Sequence, residues 1–264
     1  MTSAVTTSAV KVAKLTHQFG ERLILDGIDL EIQRGEVYGL LGPNGAGKST
    51  AIRAISGFLR PDSGSISLLG NDMVRYPARS RDTIGIVSED VGLFEAVSAN
   101  EFLCFVGHMH GLNGSEARNR TNSLLELLEL EASSREPIAG YSLGMKRKVS
   151  LAAALIHAPH VLLLDEPFNG IDAPTIRRLC ELLQQLASER RITVVFTSHV
   201  TDYVRRLCNR TGILHNGRLY DEQELMLEVG APHGTEPGLE LLLERLSGAA
   251  PKITTITSWY QQRS

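Results

Sequence analysis

The 264-residue sequence lacks any apolar run of the roughly 18 to 20 residues that a membrane-spanning helix needs. The best candidate, residues 149–156, is far too short and contains Ser150. The first ten residues lack both a basic segment and a continuous apolar core, so we expect a frayed chain end there and no secretion signal. These absences predict a cytoplasmic chain that does not itself cross a bilayer.

Cysteine is scarce, and neither sign of charge dominates. The three cysteines, Cys104, Cys180 and Cys208, are widely spaced and form no C-x-x-C pair, which fits small buried residues in a reducing compartment. The chain has 27 Lys and Arg against 30 Asp and Glu, a net charge of −3, so no broad basic face for nucleic acid is expected. With 42% hydrophobic residues it can bury a substantial core, which disfavours a disordered or fibrous protein.

Hydrophobicity patterns predict an α/β fold. Apolar and polar residues alternate over residues 28–33 and 65–68, as in half-buried strands. Three further runs are apolar on both faces and predict buried strands of a parallel sheet: residues 37–41, 161–164 and 192–196. Helical periodicity over residues 176–186 lies between two of these strands, and this β-α-β alternation is typical of α/β proteins.

Strand signals disappear between residues 98 and 157, and a helical insert is predicted there. Ser98 and Glu101 form a capping box at the start of its first helix. Leucines over residues 124–130 mark a second helix, and residues 145–157 form a third.

The C-terminal part of the chain shows weaker signals. Asn216-Gly217, within residues 213–219, predicts a hairpin because this pair supplies the positive φ angles of a tight turn. Residues 239–246 form a short amphipathic helix at most, and a polar, disordered tail is expected to follow.

A glycine-rich loop is the first motif that carries chemistry. Its residues match the phosphate-binding pattern G-x-x-x-x-G-K-[ST]: Gly42, Pro43, Asn44, Gly45, Ala46, Gly47, Lys48 and Ser49. The loop follows a buried strand and precedes a helix predicted from Thr50, a residue we include in the nucleotide-binding set. Glycines let backbone N–H groups point at phosphate oxygens. We expect Lys48 to reach the β- and γ-phosphates for binding and catalysis, and Ser49 to hold Mg²⁺.

Two adjacent carboxylates end the predicted strand at residues 161–164. Asp165 is the expected partner of Mg²⁺, and Glu166 could take a proton from an attacking water. The strand delivers both to the edge where ligands bind in open α/β sheets. Together with the phosphate loop, this pair favours hydrolysis but leaves kinases, GTPases and many ATPases open.

The segment 141–148 begins the third helix of the insert. Ser142 and the amide of Gly144 lie at its start, where the positive end of the helix dipole could meet an anion. The cationic run at residues 146–148 predicts a solvated helix face or a phosphate-facing patch, not a nucleic-acid tract.

With these motifs in this order, the chain resembles the ATP-binding cassette (ABC) family over about residues 10–246. Ser142 and Gly144 match the family's signature motif, whereas Tyr141, Leu143 and Met145 depart from it. The resemblance implies that Phe19 stacks on adenine and that His199 is a switch histidine sensing the γ-phosphate. It also implies that the segment Gly170-Ile171-Asp172 is a dimer-contact loop.

Two departures from the family pattern affect the expected site. Glu89 stands where the family usually has a glutamine, and its carboxylate can still approach Mg²⁺ and water. Leu143 replaces a signature glycine and places a side chain against the phosphate contact. The glutamate and the Tyr-Ser-x-Gly-Met signature resemble the branch that serves drug, antibiotic and polymer exporters.

The resemblance implies a P-loop NTPase core with a parallel sheet, an antiparallel β subdomain and an α-helical insert. The expected organisation is a disordered start at 1–9, an ATP-binding domain at 10–248 with its helical part at about 90–157, and a polar tail at 249–264.

The function implied is that of an ATP-hydrolysing subunit that works as a homodimer or with a paired ATPase subunit. Each ATP and its Mg²⁺ would be held by one subunit and capped by Ser142 and Gly144 of the other. The dimer would drive a separate transmembrane permease, peripheral on the inner face of the cell membrane, with no nucleic acid expected as a partner.

Two other functional classes are less well supported. A soluble mechanical ATPase acting on ribosomes or DNA would resemble two cassettes on one chain or carry a coiled-coil insertion, and neither feature is found. A P-loop kinase or GTPase switch is disfavoured by the lack of an Asn-Lys-x-Asp guanine-reading motif.

Overall fold

The computed structural model describes residues 8–89, 92–198 and 200–221. The predictions for His199, for a helix at 239–246 and for a polar tail at 249–264 lie outside the described residues. The expected disorder of residues 1–9 is wrong for Ser8 and Ala9, which belong to the first strand.

The described residues alternate between strands and helices along the chain. The strands are β1 (Ser8–Phe19), β2 (Arg22–Gln33), β3 (Val37–Leu41), β4 (Ser63–Leu68), β5 (Asn71–Asp72), β6 (Ile84–Val87), β7 (Val161–Asp165), β8 (Thr193–Ser198), β9 (Arg210–His215) and β10 (Arg218–Asp221). The α-helices are α1 (Lys48–Ile55), α2 (Ala99–Met109), α3 (Gly114–Leu127), α4 (Leu143–Leu155), α5 (Ala173–Ser188) and α6 (Thr201–Leu207). Short 3-10 helices cover Pro77–Thr83 and Ile138–Gly140. Among the described residues, no helix is both long enough and apolar enough to span a membrane.

A six-stranded sheet carries the predicted motifs, in the order β10-β9-β3-β8-β7-β6. The strands from β9 to β6 run parallel, and β10 pairs antiparallel with β9. All residues of β3, β7 and β8 are buried, as expected for parallel strands covered on both faces, so the predicted parallel sheet is confirmed. The carboxyl ends of β3, β8 and β7 therefore lie side by side.

The two faces of this sheet belong to two separate hydrophobic clusters. Val37 and Leu41 pack in the cluster that includes Leu103 of α2 and Leu179 of α5. Tyr38 and Leu40, which point to the opposite face, pack in the second cluster with residues of the antiparallel sheet and α1. Because side chains alternate along a strand, one short apolar run supplies both layers.

The second sheet is antiparallel, in the order β2-β1-β4-β5. Sequence patterns predicted β2 and β4 but missed β1, because its burial alternation is interrupted. Val10 and Val12 are buried, and burial then shifts to Leu15 and His17. The register is irregular between Val12 and Leu15, where Lys14 adopts φ 52°.

The helical insert consists of α2, α3 and α4. The predicted capping box is confirmed, because Ser98 N donates to Glu101 Oε2 at 2.9 Å and Glu101 N donates to Ser98 Oγ. The third helix begins at Leu143, two residues earlier than predicted, because Ser142 Oγ caps it by accepting from Met145 N.

One prediction about α4 is wrong. The cationic run at residues 146–148 is not a solvated face, because Arg147 is only 5% exposed and Lys148 only 8%. Arg147 donates a hydrogen bond to Glu166, just after β7, and Lys148 donates one to Thr175 of α5. The charge pattern of the sequence indicates neither partner.

Candidate active site

The glycine-rich loop joins the end of β3 to the start of α1. Gly42 has φ 150° and Gly47 φ 106°, values that L side chains rarely adopt. A Cβ atom on Gly42 would lie 2.3 Å from the carbonyl oxygen of Leu214, and one on Gly47 would lie 3.0 Å from Ile24 Cγ2 and Leu25 Cδ2. Gly42 therefore requires glycine because the Leu214 carbonyl occupies the space, and Gly47 requires it mainly because of its φ angle.

The first turn of α1 has no side-chain cap. Gly47 is the N-cap residue, and its carbonyl accepts the first helical bond from Ala51 N at 2.9 Å. Glycine has no side chain to cap the N–H groups that follow it, so the amides of Lys48, Ser49 and Thr50 form the positive end of the helix. This arrangement is a ready site for phosphate oxygens.

The side chain of Lys48 turns back along the loop. Its Nζ donates to Gly42 O at 2.8 Å and Pro43 O at 3.3 Å, and it lies 3.8 Å from Glu166 Oε1. Burial lowers the pKa of Lys48 below its ordinary value, and the carboxylates of Glu166 and Asp165 partly offset that effect. The ammonium group is thus held between the loop carbonyls and the end of β7.

Asp165 and Glu166, at the end of β7, are both hydrogen-bonded to Thr197 of β8. Thr197 Oγ1 donates to Asp165 Oδ1 at 2.7 Å and accepts from Glu166 N at 3.0 Å. Glu166 adopts φ 47°, and its carbonyl accepts a hydrogen bond from Arg147 Nη1 at 3.0 Å. Thr197 and Arg147 were not predicted as part of the site, because their positions depend on packing between distant segments.

A cavity of about 540 Å³ opens over the phosphate loop. It brings together half of the residues predicted from sequence: Asn44, Gly45, Gly47, Lys48, Ser49, Thr50, Glu89 and Glu166. Sequence reasoning missed Arg22, Ile24 and Asn169, which also line it. Asn169 lies in the loop just after the carboxylates, and that proximity was a usable signal. Arg22 reaches the cavity from the antiparallel sheet, which no local pattern indicates.

Phe19 lies at the edge of this region without lining the cavity. It is 54% exposed, forms an edge-to-face contact with His17 at 4.6 Å, and pairs with Arg22 across the β1–β2 turn. Its exposed ring is available for stacking, as the resemblance requires.

Ser142 and Gly144 are not brought to the phosphate loop of their own chain. Ser142 is exposed and caps α4, and Leu143 is 60% exposed. A Cβ atom on Gly144 would lie 2.1 Å from Gly170 O, so α4 packs closely on the loop after β7. None of these three signature residues lines the cavity over the phosphate loop.

The loop after β7 is also tied to α4 by an ion pair. Lys148 Nζ lies 2.6 Å from Asp172 Oδ2 and donates to Thr175 Oγ1 at 3.0 Å. Asp172 caps α5 by accepting from Thr175 N at 2.9 Å. The hydrogen bond from Lys148 holds the pKa of Asp172 well below its usual range.

The oxygen donors near Lys48 fit Mg²⁺. The described residues contain no group of three His, Cys, Asp or Glu side chains that could hold a metal alone. Mg²⁺ is usually bound through one or two protein oxygens, with phosphate oxygens and waters as the other ligands. Ser49 and Glu89 offer such oxygens in the cavity, and Asp165 lies beside it at the end of β7.

A buried parallel strand, a glycine-rich loop at a helix N-terminus and two carboxylates on a nearby strand define a P-loop nucleoside triphosphatase. Residues 25–169 match the family described as ABC transporter. The chain belongs to the ABC transporter family and carries its ATPase domain.

Named relatives agree with this assignment. The chain is 40% identical over 201 residues to the linearmycin resistance ATP-binding protein LnrL of Bacillus subtilis, covering 76% of this chain and 64% of the relative. It is 33% identical over 213 residues to the bacitracin transport ATP-binding protein BcrA of Bacillus licheniformis, covering 81% and 69%. The matched part therefore spans about two thirds of the relatives' own lengths.

Solved structures show the same fold. An ATP-binding subunit of an ABC transporter superposes with a TM-score of 0.80 at 29% identity, covering 90% of this chain and 99% of that chain. A dimeric post-hydrolysis state of an ATP-binding cassette bound to ADP and Pi superposes with a TM-score of 0.74 at 26% identity, covering 80% and 98%. The predicted P-loop core with its antiparallel sheet and helical insert is confirmed.

Proposed function

We propose that this chain is the ATP-hydrolysing subunit of an ABC exporter and drives a separate transmembrane permease. The observation that carries the proposal is the meeting of Lys48, the amides of the phosphate loop and Glu166 around one cavity. The names of the relatives, which include antibiotic resistance and antibiotic transport, support an export role.

ATP binding follows from the charges around the loop. The amides at the start of α1 and the ammonium of Lys48 bind the phosphates, and the exposed ring of Phe19 stacks on adenine. Ser49, Asp165 and Glu89 are the residues that would hold Mg²⁺. That ion neutralises charge on the phosphate oxygens when it is bound.

Hydrolysis uses the carboxylate of Glu166. We assign it as the general base that takes a proton from water attacking the γ-phosphate. Lys48, at 3.8 Å, is close enough to stabilise both this carboxylate and the phosphate charge. His199 is assigned as the γ-phosphate sensor by resemblance, and it lies outside the described residues.

The active unit is proposed to be a dimer. Ser142 and Gly144 do not line the cavity of their own chain, so we assign them to cap a nucleotide bound to a second subunit. A dimeric cassette among the structural neighbours supports this arrangement. ATP then favours the closed dimer over the open one, and hydrolysis removes that preference. This change in the stability of the closed dimer is the source of the mechanical work on the permease.

The permease would dock at the cleft between the sheet core and the helical insert. Phe58 lines this cleft and is 74% exposed. Phe94 (62% exposed) contacts the lining residue Phe102 and also Phe105 (48% exposed), and Met109, on the same helix as Phe105, is 70% exposed. The cleft itself has a volume of about 440 Å³. Exposed apolar groups clustered in this way mark protein contacts. Docking there would hold the chain at the inner face of the membrane.

Substitution Glu166→Gln tests the assigned base. The amide keeps the shape of the side chain but cannot accept a proton, so we expect ATP turnover to fall by about 10²- to 10⁴-fold. ATP binding should persist and the ATP-bound dimer should live longer. Turnover can be followed by phosphate release and the dimer by light scattering.

Glu181→Gln, at an exposed position of α5, is the matched control and should behave like the unchanged chain. Unchanged turnover in Glu166→Gln would refute the assignment. Co-purification of the chain with a multi-span membrane protein from solubilised membranes tests the proposed permease. Phe105→Glu should weaken this co-purification, and an unchanged yield would refute the proposed docking cleft.

A further inference from the structure

Arg147 is a buried cation with an unusual set of partners. It lies on α4 and is 5% exposed. Its Nη1 donates to the carbonyl of Glu166 at 3.0 Å, and its Nε is buried with no hydrogen-bond partner. Within the described ranges, no carboxylate forms an ion pair with it. A buried charge without a carboxylate partner lowers the stability of the fold, so we look for its role in function.

The backbone at Glu166 explains what this hydrogen bond does. The φ angle of 47° lies in the left-handed region, which a non-glycine residue holds only when its surroundings enforce it. Thr197 Oγ1 accepts the N–H of Glu166 from the side of β8. Arg147 holds the carbonyl on the other side of the same residue. The two bonds together fix the direction in which the carboxylate leaves the strand.

The cations on either side of Arg147 serve other contacts. Lys146 Nζ pairs with Glu95 at 2.7 Å, and Lys148 pairs with Asp172 at 2.6 Å. Of the three, only Arg147 forms a described hydrogen bond to Glu166. It thereby links the helix that starts at the signature segment directly to the carboxylate strand.

We infer that Arg147 is a positioning residue for ATP hydrolysis. It holds the backbone of Glu166 so that the carboxylate points at the attacking water, and it transmits the orientation of α4 to that carboxylate. This inference rests on the proposed role of Glu166 as general base. Arg147 touches neither nucleotide nor water in this account, so it affects the catalytic rate without affecting ATP affinity.

The test compares Arg147→Met with Arg147→Lys in the full-length protein. Methionine fills similar volume and donates no hydrogen bond, so we expect kcat to fall by about 10- to 100-fold, as for a small misplacement of a catalytic group. KM for ATP should stay unchanged. The melting temperature should stay level or rise because the substitution removes a buried charge. Lysine retains a donor and should recover part of kcat.

Lys146→Met is the matched control, because it removes a neighbouring cation whose partner is Glu95. It should leave both kcat and KM unchanged. If Arg147→Met has unchanged kcat while Glu166→Gln is inactive, the inference is overturned and the proposed function stands. If Glu166→Gln is itself active, the proposed function fails first.

A double variant separates positioning from a direct effect. In the Glu166→Gln background, Arg147→Met should cause no further loss of the residual rate. A further tenfold loss would mean that Arg147 acts independently of Glu166 and would overturn the inference. If Arg147→Met does not fold, Arg147→Lys decides: lowered kcat with unchanged KM supports positioning, and any other result overturns it.

Discussion

The hydroxyl of Thr197 is predicted to stabilise the fold through two buried hydrogen bonds, and Thr197→Val removes it at nearly constant volume. The side chain is fully buried and donates to Asp165 Oδ1 at 2.7 Å while accepting from Glu166 N at 3.0 Å. Valine would leave a carboxylate oxygen and a backbone N–H without their partner in a dry environment.

The expected cost follows from these two groups. An unsatisfied buried donor or acceptor costs about 1 to 3 kcal/mol, and more when it is charged. For the amide and the carboxylate together, the free energy of unfolding should fall by about 2 to 5 kcal/mol. A domain is typically stable by only about 5 to 15 kcal/mol, so the effect is large.

Urea unfolding of Thr197→Val measures this loss, and Thr197→Ser is the control. Serine keeps the hydroxyl and loses one methyl group, which costs about 1 kcal/mol in a buried site. Both variants should show the same dependence on urea and differ in midpoint. A valine variant as stable as the serine variant would refute the reasoning that the hydroxyl holds the two carboxylate residues.

Two further predictions concern the phosphate loop and the half-buried His157. In Gly47→Ala, the new Cβ would press on Ile24 at a φ of 106°, so stability should fall by about 1 to 3 kcal/mol and ATP binding should weaken. Gly140→Ala, where a Cβ meets nothing within 4 Å, is its control, and equal ATP affinity in both variants would contradict the prediction. Burial lowers the pKa of His157, so the unfolded chain binds more protons, and stability should fall as pH drops below about 6.5. In His157→Gln, the urea midpoint should depend less on pH between 7.5 and 5 than in the unchanged chain. An equal pH dependence in both proteins would show that other groups cause the loss of stability.

Local patterns were sufficient for the phosphate loop and the strands beside it. The order of strand, glycine-rich loop and helix around Lys48 depends only on neighbouring residues, and all three elements form where the pattern indicates. The Ser98 cap and the Asn216 turn are predictable for the same reason, since each is built within a few residues.

Burial of charge and strand pairing were not predictable in this way. The run at residues 146–148 suggested a solvated face, yet Arg147 and Lys148 are buried because the loop after β7 packs on that side of α4. Strand β1 was missed because its bulge at Lys14 shifts the buried positions from even-numbered to odd-numbered residues, although Val12 and Leu15 pack in the same cluster. The burial of these cations and the pairing of β1 both depend on residues that are distant in the sequence.

The amino-acid sequence alone indicated that this protein binds a nucleoside triphosphate, since the phosphate loop is a local motif recognisable from its glycines, Lys48 and the strand and helix on either side. The tertiary structure decided which groups act together. It brought Thr197 to Asp165 and Glu166, placed Arg147 on the backbone carbonyl of Glu166, and left Ser142 outside the lining of the cavity. The physical reason is that parallel strands pair segments far apart in sequence, so the neighbours of each carboxylate exist only after folding.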